Sequence, residues 1–111
     1  MSESHYILIE SRDPFDSADT GFVSDTAAAL RARGRPVTVY LVQNAVLATR
    51  AGARGSRVPG LTQAGVSVLA DDFSLRERGI EAGEMTRGVR EASIDALVDL
   101  VMQPGTKTLW H

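Results

Sequence analysis

Apolar residues in this chain fall alternately into short continuous runs and into stripes at helical spacing. Tyr6-Ile7-Leu8-Ile9 is a continuous run, the pattern of a strand buried on both faces. A polar turn follows over residues 10–17. Pro14 disfavours helix at Asp13, and Asp16 or Ser17 can cap the helix that comes next. In that helix Val23, Ala27 and Leu30 form one stripe. Arg31 and Arg33 close it where cations favour the macrodipole, and Gly34 supplies a stop. Residues 37–42, rich in β-branched side chains, predict a second strand. Gln43-Asn44 ends it, with Asn44 as cap of a helix over residues 45–50. Residues 51–60 carry three glycines, a proline and two arginines and read as a mobile loop. A helical turn over 61–64 stops at Gly65, and residues 66–70 predict the third strand. Asp71-Asp72-Phe73 leads into a short helix, where Ser74 and Glu77 have capping-box spacing and Gly79 is the stop. Residues 80–90 carry only a faint edge-strand signal near Met85. Ser93 caps a last helix with Ile94, Leu97, Val98 and Val101 as its stripe, and Lys107-Thr108-Leu109-Trp110 predicts a closing strand.

Strands alternating with helices through short turns predict an α/β protein of three layers, flavodoxin-like, with a short, mostly parallel sheet and helices on both faces. In such sheets ligands gather at the carboxyl ends of the strands. That rule nominates the loops at 11–17, 43–44 and 71–74 and expects them to be spatial neighbours. At 111 residues the chain is expected to form one domain over 1–111, long enough for one core and too short for two.

Composition narrows the functional classes. Fourteen acids against twelve bases leave a formal charge of -2, which favours neither nucleic acid nor an anionic membrane as partner. No stretch approaches the roughly 20 apolar residues that span a bilayer, and the first residues lack the features of a signal peptide. Cysteine is absent, which excludes disulfides, thiolate metal sites and a cysteine nucleophile. Cytoplasmic residence is the expectation.

The first loop has the position where backbone N–H groups hold phosphate at a helix start. Ser11, Ser17 and Thr20 supply hydroxyls there, as in flavodoxins, but Asp13, Asp16 and Asp19 would repel a phosphate. Neither glycine-rich phosphate motif occurs. No cofactor is therefore expected. Asp71 and Asp72 can act as a general base or bind a divalent cation. The plainer reading has one capping the next helix and the other facing solvent, so no metal is assigned. A receiver-type phosphorylation site is disfavoured, because Glu10-Ser11-Arg12 follows the first strand. His5 and His111 sit in no motif, although His111, after the last strand, can reach the cluster around Asp71. Arg50, Arg54 and Arg57 with their glycines suit an anion loop or, by default, a solvated one.

The residues from Tyr6 to Ser11, those from Val39 to Asn44, and above all Gly65-Val66-Ser67-Val68-Leu69-Ala70-Asp71-Asp72-Phe73-Ser74 through Arg78-Gly79-Ile80 resemble the DsrE/DsrF-like sulfur-relay proteins. The resemblance spans nearly the whole chain. It implies a compact parallel α/β fold and assembly as a trimer or hexamer. It also implies a persulfide carried by a cysteine in the loop after the third strand. Here that position is Asp71, and a carboxylate can neither form nor attack a persulfide. The expectation is thus a non-catalytic DsrE-like homo-oligomer related to sulfur metabolism. It binds a small ligand or a protein partner through Arg12, Asp13, Gln43, Asn44, Asp71, Asp72, Phe73 and Ser74. Two alternatives stand beside it: an Asp-based or metal-assisted small-molecule enzyme, with Asp71 or Asp72 as general base or metal ligand and Arg12 or Arg76 holding an anion, and an accessory subunit of a cysteine-bearing paralogue.

Overall fold

A computed structural model of the chain describes residues 4–13 and 21–111. Its elements run β1 (His5–Glu10), α1 (Gly21–Ala32), β2 (Val37–Leu41), a 3-10 segment (Gln43–Thr49), α2 (Val58–Gln63), β3 (Ser67–Asp71), α3 (Asp72–Glu77), a 3-10 turn (Ala82–Glu84), β4 (Arg90–Ala92), α4 (Ile94–Val101) and β5 (Thr106–Trp110). The five strands form one sheet in the order β4-β3-β2-β1-β5, and every neighbouring pair is parallel. This is the α/β architecture that the alternating pattern predicts.

The strand period divides the core in two. Leu8, Val39, Leu41, Val68 and Ala70 face one side, where Val23 and Ala27 of α1, Val58 and Leu61 of α2, the 3-10 segment and Leu75 of α3 cover them. Ile7, Ile9, Tyr40 and Leu69 face the other side, where Leu97 of α4 packs on them with Leu100 and Val101 alongside. Several elements cover the first face, whereas α4 is the helix on the second. Because that helix turns Leu97 inward, the other members of its expected stripe divide. Ile94 and Val98 face out with Met102, and Val101 lies part-buried against the sheet. Among the described residues no helix is long and apolar enough to cross a membrane.

Several local expectations need correction. Asn44 does not cap a helix: the segment after β2 winds as 3-10 turns, Val42 occupies the cap position without a side-chain bond, and Arg78 engages Asn44 instead. Residues 51–57 are held at their end, since the Ser56 hydroxyl donates to Ala48 O at 2.6 Å and accepts from Val58 N–H at 3.2 Å. The next helix therefore starts at Val58, earlier than Leu61, with Pro59 in its first turn, where a missing N–H costs nothing. Met85 makes only an isolated antiparallel bridge to Arg50; the edge strand lies at Arg90–Ala92, in register with Leu69–Asp71. The expected caps Asp16 and Ser17, and Pro14, Asp19 and Thr20, lie outside the described residues.

Leu75 is fully buried where α3 meets the sheet. Leu75→Ala should cost about 2–5 kcal/mol of stability, and Ser93→Ala, which removes the α4 cap bond to Ala96 N–H, about 1 kcal/mol. Urea denaturation of the two variants checks both values and their order.

Candidate functional site

The carboxyl end of β3 delivers Asp71 to the top of the sheet, where α3 begins with no loop between. A carboxylate there can cap the helix, and Asp71 does: its Oδ2 accepts from Ser74 N–H at 2.9 Å. The same oxygen accepts from the Ser74 hydroxyl at 2.7 Å, and Oδ1 accepts from the Tyr40 hydroxyl at 2.7 Å. Ser74 is thus the third helical residue under an aspartate cap, rather than the start of a capping box with Glu77. Gly79, at φ +66°, stops the chain after the helix as expected.

Ser74 also reaches across to β2. Its Oγ accepts from Gln43 N–H at 2.8 Å, and its carbonyl accepts from Arg78 Nη1 at 3.2 Å. Arg78 donates two further bonds, at 2.9 and 3.2 Å, to Asn44 Oδ1. Gln43 sits at φ +55°, the one non-glycine residue in the left-handed region among those described. That conformation costs free energy, and the bond to Ser74 holds it in place. On the other side Val42 N–H donates to Glu10 O at 3.0 Å. The ends of β1, β2 and β3 are therefore linked as the topology rule expects.

Asp71 is 5% exposed. Burial, the largest single influence, pushes its pKa up. The Ser74 hydroxyl, the Tyr40 hydroxyl, the Ser74 N–H and the charge of Arg76 together outweigh it, so the carboxyl titrates below its usual range. Tyr40 moves the opposite way: burial first, then its bond to Asp71 and the charges of Asp71 and Asp72, hold the phenol far above its ordinary pKa. Asp71 is consequently an anion already engaged by three donors. Asp72 is half-buried, with Arg76 Nη1 3.8 Å away, and Phe73 beside it is 60% exposed. Gln43, Asn44, Asp71, Asp72, Phe73 and Ser74 thus form one continuous patch.

Arg12 and Asp13 belong to a second group, after β1. The order of the strands reverses between β1 and β5, and there His111 Nδ1 stands 2.9 Å from both oxygens of Glu10. Glu10 Oε2 also accepts from Arg12 N–H at 3.0 Å, and the Ser11 hydroxyl donates to His111 O at 3.0 Å. His111 joins Glu10 instead of the Asp71 cluster, because β5 lies beside β1 and two strands separate it from β3. Glu10, 4% exposed, escapes a sequence reading because it looks like the first polar residue of a turn. Its phase, two residues past the inward-facing Leu8, was the available signal. Beneath it lies a cavity of about 30 Å³ lined by Arg12, Val39, Leu41 and Arg57, room for about one water. Arg57 donates to Asp25 Oδ1 at 2.9 Å in an exposed pair. Among the described residues no group of three or more His, Asp or Glu is placed to hold a metal ion.

No protein-family model matches the chain, and no curated protein matches it. Solved structures do share its fold. The ychN protein from E. coli superposes with a TM-score of 0.85 at 20% identity, over 97% of this chain and 99% of its own. MTH1491, a protein of unknown function from Methanobacterium thermoautotrophicum, gives 0.78 at 19% identity, over 98% of this chain and 100% of its own. BT1422, a conserved protein of unknown function from Bacteroides thetaiotaomicron, gives 0.76 at 16% identity, over 97% and 95%. These likenesses establish a common fold across the chain's length.

The pKa directions set a pH profile. Ionised Asp71 contributes stability that is complete above the unfolded carboxyl pKa of about 4 and is lost as pH falls through the lower folded value. Tyr40 contributes stability that is complete below about pH 10 and is lost as pH rises. Asp71→Asn should flatten the acid limb and Tyr40→Phe the alkaline limb, each lowering stability at neutral pH by about 1–3 kcal/mol. Urea denaturation across pH decides this, and unchanged limbs in both variants would refute the assignment.

Proposed function

We propose that the protein is a DsrE-like, homo-oligomeric binding protein that keeps the sulfur-relay fold without its persulfide chemistry. It engages a protein partner or small ligand, within sulfur metabolism, at the patch around Gln43, Asn44, Asp72 and Phe73. One observation carries the reading. Asp71, at the position where the resembled family carries its cysteine, is a buried carboxylate whose hydrogen bonds build the loop. A lowered pKa and three donors make it a poor proton acceptor, so the residue serves as a structural anchor and not as a general base.

Binding is supported by what the anchored loop presents. Phe73 projects an exposed ring at the start of α3, beside the exposed amides of Gln43 and Asn44. A rigid aromatic with polar neighbours suits an interface anchor. The loop residues Arg12 and Asp13 lie after β1, along the same edge of the sheet, and extend the proposed surface.

Self-assembly is supported by the thinly covered face. Ile94, Val98 and Met102 follow one another at four-residue spacing and are 56%, 49% and 76% exposed. Three large apolar side chains in one outward row suit burial against a second copy.

Native mass spectrometry of protein from gently lysed cells tests both parts. A trimer or hexamer retaining a ligand or partner is the expected result. Val98→Asp should release monomers. Phe73→Ala should lose the retained species while changing stability by no more than about 0.5 kcal/mol. A wild-type protein that is strictly monomeric and carries nothing would refute the proposal.

A further inference from the structure

At the opposite end of the sheet, where the strands begin, an open groove of about 460 Å³ lies on the face that α4 only partly covers. Its volume is within the range of small-molecule sites, about 300–1,000 Å³. Strand phase puts polar groups there on a face that is otherwise apolar. Thr38 and Ser67 are register partners on β2 and β3, on the same face as Tyr40 and Leu69. His5, two residues before Ile7 on β1, places its Nε2 2.9 Å from the Thr38 hydroxyl, and Thr38 is itself buried. Arg90, the register partner of Leu69 on β4, donates from Nη2 to the Ser67 hydroxyl at 3.3 Å. A polar row thus crosses four strands.

Charge gives the row its chemistry. Arg31, from the end of α1, reaches the same groove by lying across Gly65, where a Cβ would stand 3.0 Å from its Nε. No carboxylate lines the groove. Among the described residues Arg57 and Arg76 have acidic partners, whereas Arg31 and Arg90 have none. Two guanidinium groups without counter-charge, flanked by an imidazole and two hydroxyls, form a donor set matched to oxyanions. Leu69 and Leu100 add an apolar wall for the body that carries the anion.

We propose that this groove binds a small molecule bearing a tetrahedral oxyanion, a phosphate or sulfate group, held between Arg31 and Arg90. The site is independent of the patch at the carboxyl ends of the strands and stands or falls separately from it. Titrating the whole chain with inorganic phosphate and with phenyl phosphate, followed by amide chemical shifts, tests the proposal. Saturable shifts centred on Arg31, Ser67 and Arg90 are expected, weakening as salt rises. Arg31→Gln and Arg90→Gln should each weaken binding by about tenfold, while Arg31→Lys keeps most of it. Tighter binding of phenyl phosphate marks an ester as the occupant and equal binding marks the free anion; either upholds the oxyanion site. Should Arg31→Gln fail to fold, Ser67→Ala carries the same test with the smaller loss of one neutral donor. Shifts that do not saturate, or an affinity unchanged in folded Arg31→Gln and Arg90→Gln, overturn it.

Discussion

Burying a carboxylate is costly unless donors surround it, and the carboxyl end of this sheet is organised by meeting that requirement at Asp71. The donors come from different parts of the chain: Tyr40 from β2, the Ser74 hydroxyl and N–H from α3. The same Tyr40 hydroxyl lies 3.4 Å from Ala92 O, which brings β4 beside the cluster. One side chain therefore caps a helix, joins strands and stabilises its own ionised state. The left-handed Gln43 and the position of Asn44 depend on this cluster through Ser74 and Arg78. The chemistry that remains at the site belongs to its neighbours, because the carboxylate has little capacity left.

The two faces of the sheet are unequally covered, and this asymmetry links the remaining features. Among the described residues three helices and a 3-10 segment close one side, so the carboxylate buried there, Glu10, needs the partners that His111 and Arg12 supply. Among the described residues α4 alone is the helix over the other side. It turns an apolar row outward, and an open groove lies beside it at the amino ends of the strands. A sheet covered by a single helix exposes what a second layer would bury. The groove and the outward apolar row of α4 both lie on this thinly covered side.

Much of the fold was legible because it rests on local periodicity. The apolar run Tyr6–Ile9, the stripe Val23, Ala27 and Leu30, and the caps at Ser93 and Gly79 act within a few residues and are visible as such. Short elements without a period were harder to read: β4 has three residues and no buried apolar side chain, so nothing local marked it. The 3-10 segment carries the composition of a helix, and the Asn44 side chain within it is engaged by Arg78, 34 residues away, which no local rule contains. At the site, the loops after β2 and β3 were found through strand order, whereas Glu10 and Tyr40 were not. Each looked ordinary in sequence and acquired its role through a partner 31 or more residues away.

By itself the sequence determined the alternation of strands and helices, the parallel sheet that helical crossovers between strands allow, and the absence of thiol chemistry. These follow from spacing and residue type, which are local properties. Tertiary structure decided what Asp71 is. Whether an aspartate caps, coordinates or accepts a proton depends on which donors surround it, and those donors arrive from strands and helices distant in the chain. It also decided where the chain reverses in the sheet, which seated His111 beside Glu10, and which arginines were left without a counter-charge.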